Sequence, residues 1–242
     1  MGKKMLYPLG TSESCLSACS ALKRSGFQLT DHPSPDITHL LLDIPGAEPG
    51  NLKELLRMLP KNITVIGGSF SADYLTDYRK LELLKDPIFL ARNAAITAEC
   101  ALRATAPYLT TIWIDSPVLI LGWGRIGKCL GKLLREIGCP VTIAARKETD
   151  RAMLSALGYR AVEFSGVKKE LPRHKVLFNT VPQGIALEDH TGSCIKIDLA
   201  SFPGLEGHDI IRARGLPGKY APESAGKLIA ETICRMDKEE RI

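Results

Sequence analysis

No apolar run in the 242-residue chain reaches the roughly 20 residues that a membrane span requires. The N-terminus has no apolar core of the kind that a secretory signal carries, so the expected location is the cytoplasm. The seven cysteines are odd in number and fit reduced thiols in that compartment. Cys15 and Cys19 stand four apart on an expected helix, but no second pair and no neighbouring histidine completes a set of ligands. No metal is expected. A concentrated basic stripe is missing too: the net charge of +5 comes from lysines and arginines scattered among acids, which argues against a nucleic-acid partner. What is left, at 45% hydrophobic and 24% charged residues, is an ordinary globular chain of one large or two small domains.

The most informative stretch is Val118-Leu-Ile-Leu-Gly122-Trp123-Gly124-Arg125-Ile126-Gly127. An apolar strand that opens through Gly-x-Gly-x-x-Gly into a helix can cradle the pyrophosphate of a dinucleotide. Gly122 permits the tight turn, Gly124 lets the backbone approach the phosphates, and Gly127 lets the helix pack against the sheet. The N–H groups around Trp123, Arg125 and Ile126 then face the anion. The flanks agree with this. Ile126, Leu130, Leu133, Leu134 and Ile137 recur at helical spacing as one apolar stripe, Gly138 stands where a cap belongs, and Val141 to Ala145 follows as a strand. The alternative is a glycine-rich turn without a nucleotide, and these flanks weigh against it.

The tip of that second strand selects between cofactors. An acid about 20 residues beyond the first glycine would bind the ribose hydroxyls of NAD. Arg146 and Lys147 stand there instead, which favours the 2′-phosphate of NADP over NAD, and Arg146 can grip it in a bidentate pair. Glu148 comes one position late. Further strands are expected at Arg160 to Phe164, Val176 to Asn179 and Ile195 to Leu199. Their ends place Asn179, Thr180, Val181, Pro182 and Ser201 around the nicotinamide half of the cofactor. Asp198, within an apolar strand, is either a paired buried acid or a strand-edge residue, and it is one candidate general base.

Residues 1–85 read as a separate α/β domain without a nucleotide fingerprint. Strands are expected at Met5 to Leu9, Phe27 to Leu29, Thr38 to Ile44, Ile63 to Ile66 and Lys80 to Leu84. Helices are expected after Ser12 or Ser14, from Asn51 to Leu59, and within Ala72 to Leu84. The Gly67-Gly68-Ser69 turn beyond a strand's carboxyl end is a candidate ligand loop. Residues 86–114 form a helix-rich link in which Asn93, Thr97 and Glu99 lie near an expected helix start. They either hold an anionic substrate or cap the helix and face solvent. Residues 115–221 are the nucleotide domain. At its end, Gly215 to Gly226 is a glycine-proline loop whose one cation, Lys219, is either a ligand contact or a solvated turn residue. Pro222 opens a last helix, 222–238, expected to pack back on the first domain.

These endings resemble the A-subunit family of dipicolinate synthase. The resemblance rests on the glycine fingerprint, Arg146-Lys147, Asn179-Thr-Val-Pro182, Ile197-Asp-Leu-Ala-Ser201 and above all Gly215-Leu-Pro-Gly-Lys-Tyr-Ala-Pro-Glu-Ser-Ala-Gly226. It covers about residues 80 to 236. The chain is shorter than the family between Phe202 and Gly215, where a strand expected from the family is missing, and Cys100 replaces a small glycine.

The resemblance implies a flavodoxin-like lobe and a Rossmann lobe around a deep interdomain cleft, as in formate and glycerate dehydrogenases. It implies oxidation of a dihydrodipicolinate by hydride transfer to NADP during sporulation, in a dimer assisted by a flavoprotein-like B subunit. Lys219, Ser201, Thr97 and the Gly68-Ser69 turn would bind the anionic substrate. Glu99 and Asp198 are the candidates for the proton. Two other readings stay open: an NADP-binding partner subunit without turnover, and a 2-hydroxyacid dehydrogenase. The latter lacks its arginine in Ala200-Ser-Phe-Pro203, and none of His174, His190 and His208 has the matching context.

Overall fold

The structure, a computed structural model, describes residues 4–46, 49–187, 194–201 and 204–239. The chain forms two compact units, Met1–Ile96 with Pro217–Ile242, and Thr97–Leu216. His190, Phe202 and Pro203 lie outside the described residues.

The first unit runs β1 (Lys4–Pro8), α1 (Glu13–Arg24), β2 (Phe27–Leu29), β3 (His39–Leu41), α2 (Leu52–Met58), β4 (Thr64–Gly67) and β5 (Arg79–Glu82), and it enters α3 (Pro87–Thr105). Its five strands are all parallel, in the order β2-β1-β3-β4-β5, which is flavodoxin-like. Period-2 alternation divides the core between the two faces of the sheet. Leu6, Leu41 and Ile66 pack with Cys15, Ala18 and Leu22 of α1, whereas Leu40 and Val65 pack with Leu52, Leu55 and Leu56 of α2. Ser12 caps α1 by accepting from the Cys15 N–H at 3.2 Å, and Gly26 follows its end at a φ of 95°.

Several expected elements are shorter than the residue pattern suggests. The strand expected over Thr38 to Ile44 is only His39–Leu41, because Asp43 turns aside to bind the loop after β1. The one expected over Lys80 to Leu84 ends at Glu82, where the Leu84 N–H turns back to the Gly68 carbonyl at 2.8 Å. No α-helix forms between Ala72 and β5; a single 3-10 turn, Asp73–Leu75, takes its place.

The second unit continues from α3 through β6 (Val118–Leu121), α4 (Arg125–Glu136), β7 (Val141–Ala144), α5 (Glu148–Ala156), β8 (Arg160–Val162), α6 (Val167–Glu170) and β9 (Val176–Asn179). It then runs β10 (Ile185–Ala186), β11 (Ile195–Asp198), β12 (Leu205–Glu206) and β13 (Ile210–Arg212). Six parallel strands form one sheet in the order β13-β11-β9-β6-β7-β8. Read from β8, this is the doubly wound Rossmann order 3-2-1-4-5-6. The strand expected to be missing between Phe202 and Gly215 is therefore present: Ile210–Arg212 pairs in parallel with β11, and three residues suffice for an edge strand. The stripe of α4 also needs correction. Its buried line is Gly127, Leu130, Gly131 and Leu134, while Ile137, at the C-cap, is 47% exposed.

The Gly215 to Gly226 stretch is a short helix rather than a loop, α7 (Leu216–Tyr220), followed by α8 (Pro222–Glu239). Leu228, Ile229 and Ile233 of α8 join the core of the first unit beside Phe89. Helix α3 is continuous across Ile96 and Thr97, so the linking segment 86–114 is divided between the two units. No helix among the described residues is long and apolar enough to cross a membrane.

Candidate functional site

The glycine turn after β6 has the backbone that the fingerprint requires. Gly122 has a φ of 101°, and a Cβ there would meet Thr180 Oγ1 at 2.7 Å and Val181 Cγ2 at 2.8 Å. A Cβ on Gly127 would collide with the Gly122 carbonyl oxygen. These two glycines are explained by the protein's own packing. Gly124 is different, because a Cβ there would meet nothing within 4 Å. Its backbone faces open space, so only a ligand pressed against it makes a side chain costly. Gly124 is also the N-cap of α4, and the first intrahelical bond runs from Lys128 N to its carbonyl at 2.9 Å. The N–H groups of Arg125, Ile126 and Gly127 are thus left for an anion.

Opening from this turn is a cleft of about 260 Å³ lined by Gly122, Trp123 and Gly124, by Ala145, Arg146, Lys147 and Asp150, and by Thr180, Val181 and Pro182, with Phe164 at its side. A typical small-molecule pocket measures about 300–1,000 Å³, so this one fits a pyrophosphate and part of an adenosine rather than a whole dinucleotide. Trp123 is braced edge-on by Tyr159 at 5.6 Å. The basic tip is built from behind: Arg151 donates to the Ala145 and Arg146 carbonyls at 2.9 and 2.7 Å. The Arg146 side chain reaches Gln183 Oε1 at 2.9 Å, so it lies along the cleft's wall, and Lys147 is exposed beside it. No motif reveals Asp150, Arg151, Phe164 or Gln183; only the fold brings them to the tip.

The loop after β9 is held by a buried network. Asn179 Oδ1 accepts from the Val181 N–H at 3.0 Å, and its amide donates to the Val181 carbonyl at 3.2 Å and to Asp198 Oδ1 at 2.8 Å. Thr180 donates through its N–H and hydroxyl to the Leu121 carbonyl, at 3.0 and 2.8 Å. Asp198 is fully buried and also accepts from Ala200 N, Leu205 N, Arg212 and Arg214. A carboxylate offers about four lone-pair positions, and five donors address this one. Of the two readings its strand offers, the structure has the paired buried acid, with its oxygens engaged by the protein's own donors. Ser201 is exposed beyond the end of β11.

The residues expected near a helix start are not there. Helix α3 begins at Pro87, so Asn93, Thr97 and Glu99 occupy its second to fourth turns, where the backbone N–H groups serve the helix itself. Thr97 is buried, Asn93 half-buried and Glu99 exposed. Lys219 is exposed on α7, with its ammonium 5.2 Å from the Tyr220 ring centre. Gly68 is buried with Leu84 Cδ1 3.0 Å from where its Cβ would be, so packing accounts for it, whereas Ser69 is exposed. Of these residues Gly68, Ser69, Asn93 and Lys219 belong to the first unit, and Thr97, Glu99 and Ser201 to the second.

The crevice of the first sheet, where β1 and β3 diverge to opposite connections, is taken by Asp43. It accepts from the Thr11 and Ser12 N–H groups at 3.1 and 3.0 Å and from the Ser12 hydroxyl. Cys15 and Cys19 do meet on α1, and their hydrogen bond, together with burial, pushes the Cys15 thiol pKa up. That is the environment of an inert thiol. Among the described residues no group of three His, Cys, Asp or Glu side chains could hold a metal ion. A larger groove of about 800 Å³ lies between α1 and α8, but its walls are solvated ion pairs such as Lys227–Glu231 and Arg235–Glu239.

No family model matches the chain. It is 28% identical over 133 residues to the A subunit of dipicolinate synthase from Bacillus subtilis (strain 168), an alignment covering 50% of this chain and 45% of that protein. The matched stretch therefore spans less than half of that relative's length. A crystal structure of the dipicolinate synthase A subunit from Bacillus halodurans superposes with a TM-score of 0.79 at 20% identity, over 96% of this chain and 97% of that one. The Bacillus subtilis A subunit gives 0.78 at 18% identity, over 100% and 98%. The resemblance read from the motifs is borne out, and the two parallel-sheet units share the fold of these proteins.

Proposed function

We propose that this chain is a nicotinamide-dinucleotide-dependent oxidoreductase similar to the dipicolinate synthase A subunit, which oxidises a dihydrodipicolinate or a similar cyclic dicarboxylate and prefers NADP. The observation that carries the reading is Gly124: a glycine that nothing in the protein requires, at an N-terminus with three free N–H groups, on a cleft walled by Arg146 and Lys147. When bound, the nicotinamide supplies the acceptor for a hydride. The chain's own part is to bind and orient. The α4 N-terminus takes the pyrophosphate, Arg146 and Lys147 take the 2′-phosphate, and Asn179 to Pro182 with Ser201 wall the nicotinamide side. Of the two acids considered for the proton, Glu99 is the exposed one and Asp198 the buried one. Thr97, Asn93, Gly68, Ser69 and Lys219 are offered as substrate contacts. The substrate class is supported by the likeness to the Bacillus subtilis protein over 133 residues. A homodimer, a B-type partner and a cytoplasmic place in sporulating cells belong to the same reading.

A second reading is favoured by one observation, the full occupation of Asp198: an NADP-binding subunit that leaves proton transfer to a partner. The two separate in one assay. NADPH formation from freshly prepared dihydrodipicolinate is measured with the chain alone and with a B-type partner, alongside fluorescence titration with NADPH and NADH. Turnover by the chain alone supports the enzyme, and turnover only with the partner supports the second reading. Absent binding of both nucleotides refutes both.

A further inference from the structure

Arg212 is the last residue of β13 and Arg214 lies two positions beyond it, and the two side chains converge on one buried acid. Both reach one atom, Asp198 Oδ2, at 2.6 and 3.1 Å. That oxygen already accepts from Leu205 N at 3.2 Å, while Oδ1 is served by Asn179 and Ala200. One guanidinium would neutralise the acid. The second, held by the same oxygen, adds a full positive charge beyond what the single carboxylate neutralises. Each guanidinium carries five N–H donors and spends one of them here. Among the described residues neither has another partner. Their side chains are 49% and 38% exposed, so the remaining donors are open to solvent while their near ends are anchored.

The geometry points to a carboxylate-binding subsite made by Arg212 and Arg214, with Asp198 as the anchor that holds the two forks side by side. Such an anchored pair suits planar, bidentate recognition of a carboxylate, because its rotamer freedom is already restricted by the fold. The surplus charge of the triad, two cations against one anion, favours an anionic ligand over a neutral one. The subsite lies beyond the carboxyl ends of β11 and β13, on the same end of the parallel sheet as the glycine turn after β6. The identity of the ligand, a pyridine dicarboxylate, rests on the oxidoreductase reading; the existence of the anion subsite does not.

The test is calorimetric titration of the full chain with pyridine-2,6-dicarboxylate, and with pyridine as the uncharged control. Arg212→Lys and Arg214→Lys keep the charge that offsets Asp198 but lose the fork, and an unchanged thermal midpoint verifies that they fold. The expected result is dicarboxylate binding by the natural chain, no binding of pyridine, and about tenfold or greater weakening in each variant, since each lost charged hydrogen bond is worth at least that factor. Equal affinity in the natural chain and both variants, or no dicarboxylate binding by the natural chain, overturns the proposal. NADPH titration of the same samples reports on the glycine cradle separately. Dicarboxylate binding without NADPH binding would sustain the subsite and remove the oxidoreductase reading.

Discussion

The carboxylate of Asp198 accepts a 2.8 Å hydrogen bond from the Asn179 side-chain amide and so fixes which way that amide faces. Asn179 in turn holds Val181 through both its N–H and its carbonyl, and Val181 lines the cleft beside the glycine turn. Asp198→Asn should therefore act at two levels. It takes the counter-charge from Arg212 and Arg214, whose half-exposed side chains keep water as a partner, a loss of about 1 kcal/mol. It also frees the Asn179 amide to flip, which loosens Thr180 to Pro182 and weakens NADPH binding. Urea unfolding and NADPH titration read the two effects. A variant with unaltered stability and affinity but no turnover would mark Asp198 as the base.

Gly124 and Gly127 should respond in opposite ways to the same added methyl. Gly124→Ala has room in the protein, so its stability should stay within about 1 kcal/mol of the natural chain, the propensity difference between the residues. Its NADPH affinity should fall at least tenfold, because the methyl stands where the phosphates approach. Gly127→Ala drives a Cβ into the Gly122 carbonyl and should cost about 1–3 kcal/mol of stability through overpacking. Wild-type nucleotide affinity in a folded Gly124→Ala variant would empty the cradle of its meaning.

The residues alone disclose whatever depends on neighbours along the chain. The glycine turn and Ser12 as a cap are local, and the chain order of strands follows from alternation and punctuation. That Asp198 is a paired buried acid is one of the two readings its strand offers, but its partners are not legible, because they come from Asn179, nineteen positions back, and Arg214, sixteen ahead, and meet only when β9, β11 and β13 lie side by side. Strand β13 escapes notice for a related reason: three residues, Ile-Ile-Arg, carry too little alternation to announce an edge strand. Asn93, Thr97 and Glu99 mislead because Pro87, a good first-turn residue, starts α3 earlier than the polar cluster suggests. Asp150 and Gln183 show the same limit, since no spacing rule links the start of α5 to the loop after β9.

The basic tip makes a prediction about selectivity. Arg146→Asp combined with Lys147→Ala removes both cations while Arg151 still holds the backbone of the tip from behind. NADPH affinity should fall by about a hundredfold, from two lost charged contacts, and NADH affinity should hold or rise as an acid meets the ribose hydroxyls. Parallel fluorescence titrations decide it. Equal loss for both nucleotides would mean that Arg146 and Lys147 serve a part common to the two cofactors.

A pH effect is expected far from the cleft, at Asp237. This acid of α8 is fully buried, with the Lys4 ammonium at 2.7 Å, His39 Nε2 at 3.4 Å and Arg79 at 3.5 Å, so it ties the last helix to β1, β3 and β5. Burial by itself would push its pKa up, but the hydrogen bonds and charges of Lys4 and His39 outweigh burial and leave it below the ordinary carboxylate range. An acid whose folded pKa is depressed binds its proton more readily in the unfolded chain, where it titrates near about 3.9. Its stabilisation is therefore complete above that value and is lost as the pH falls through the lower, folded pKa. Asp237→Asn should cost about 3 kcal/mol at neutral pH, because it leaves the largely buried Lys4 beside His39 without a counter-charge. As the pH falls below about 4 the natural chain loses the same interaction, so the urea midpoints of the two proteins should converge. A gap between them that stays constant down to the acid limit would mean that Asp237 contributes through packing rather than through its charge.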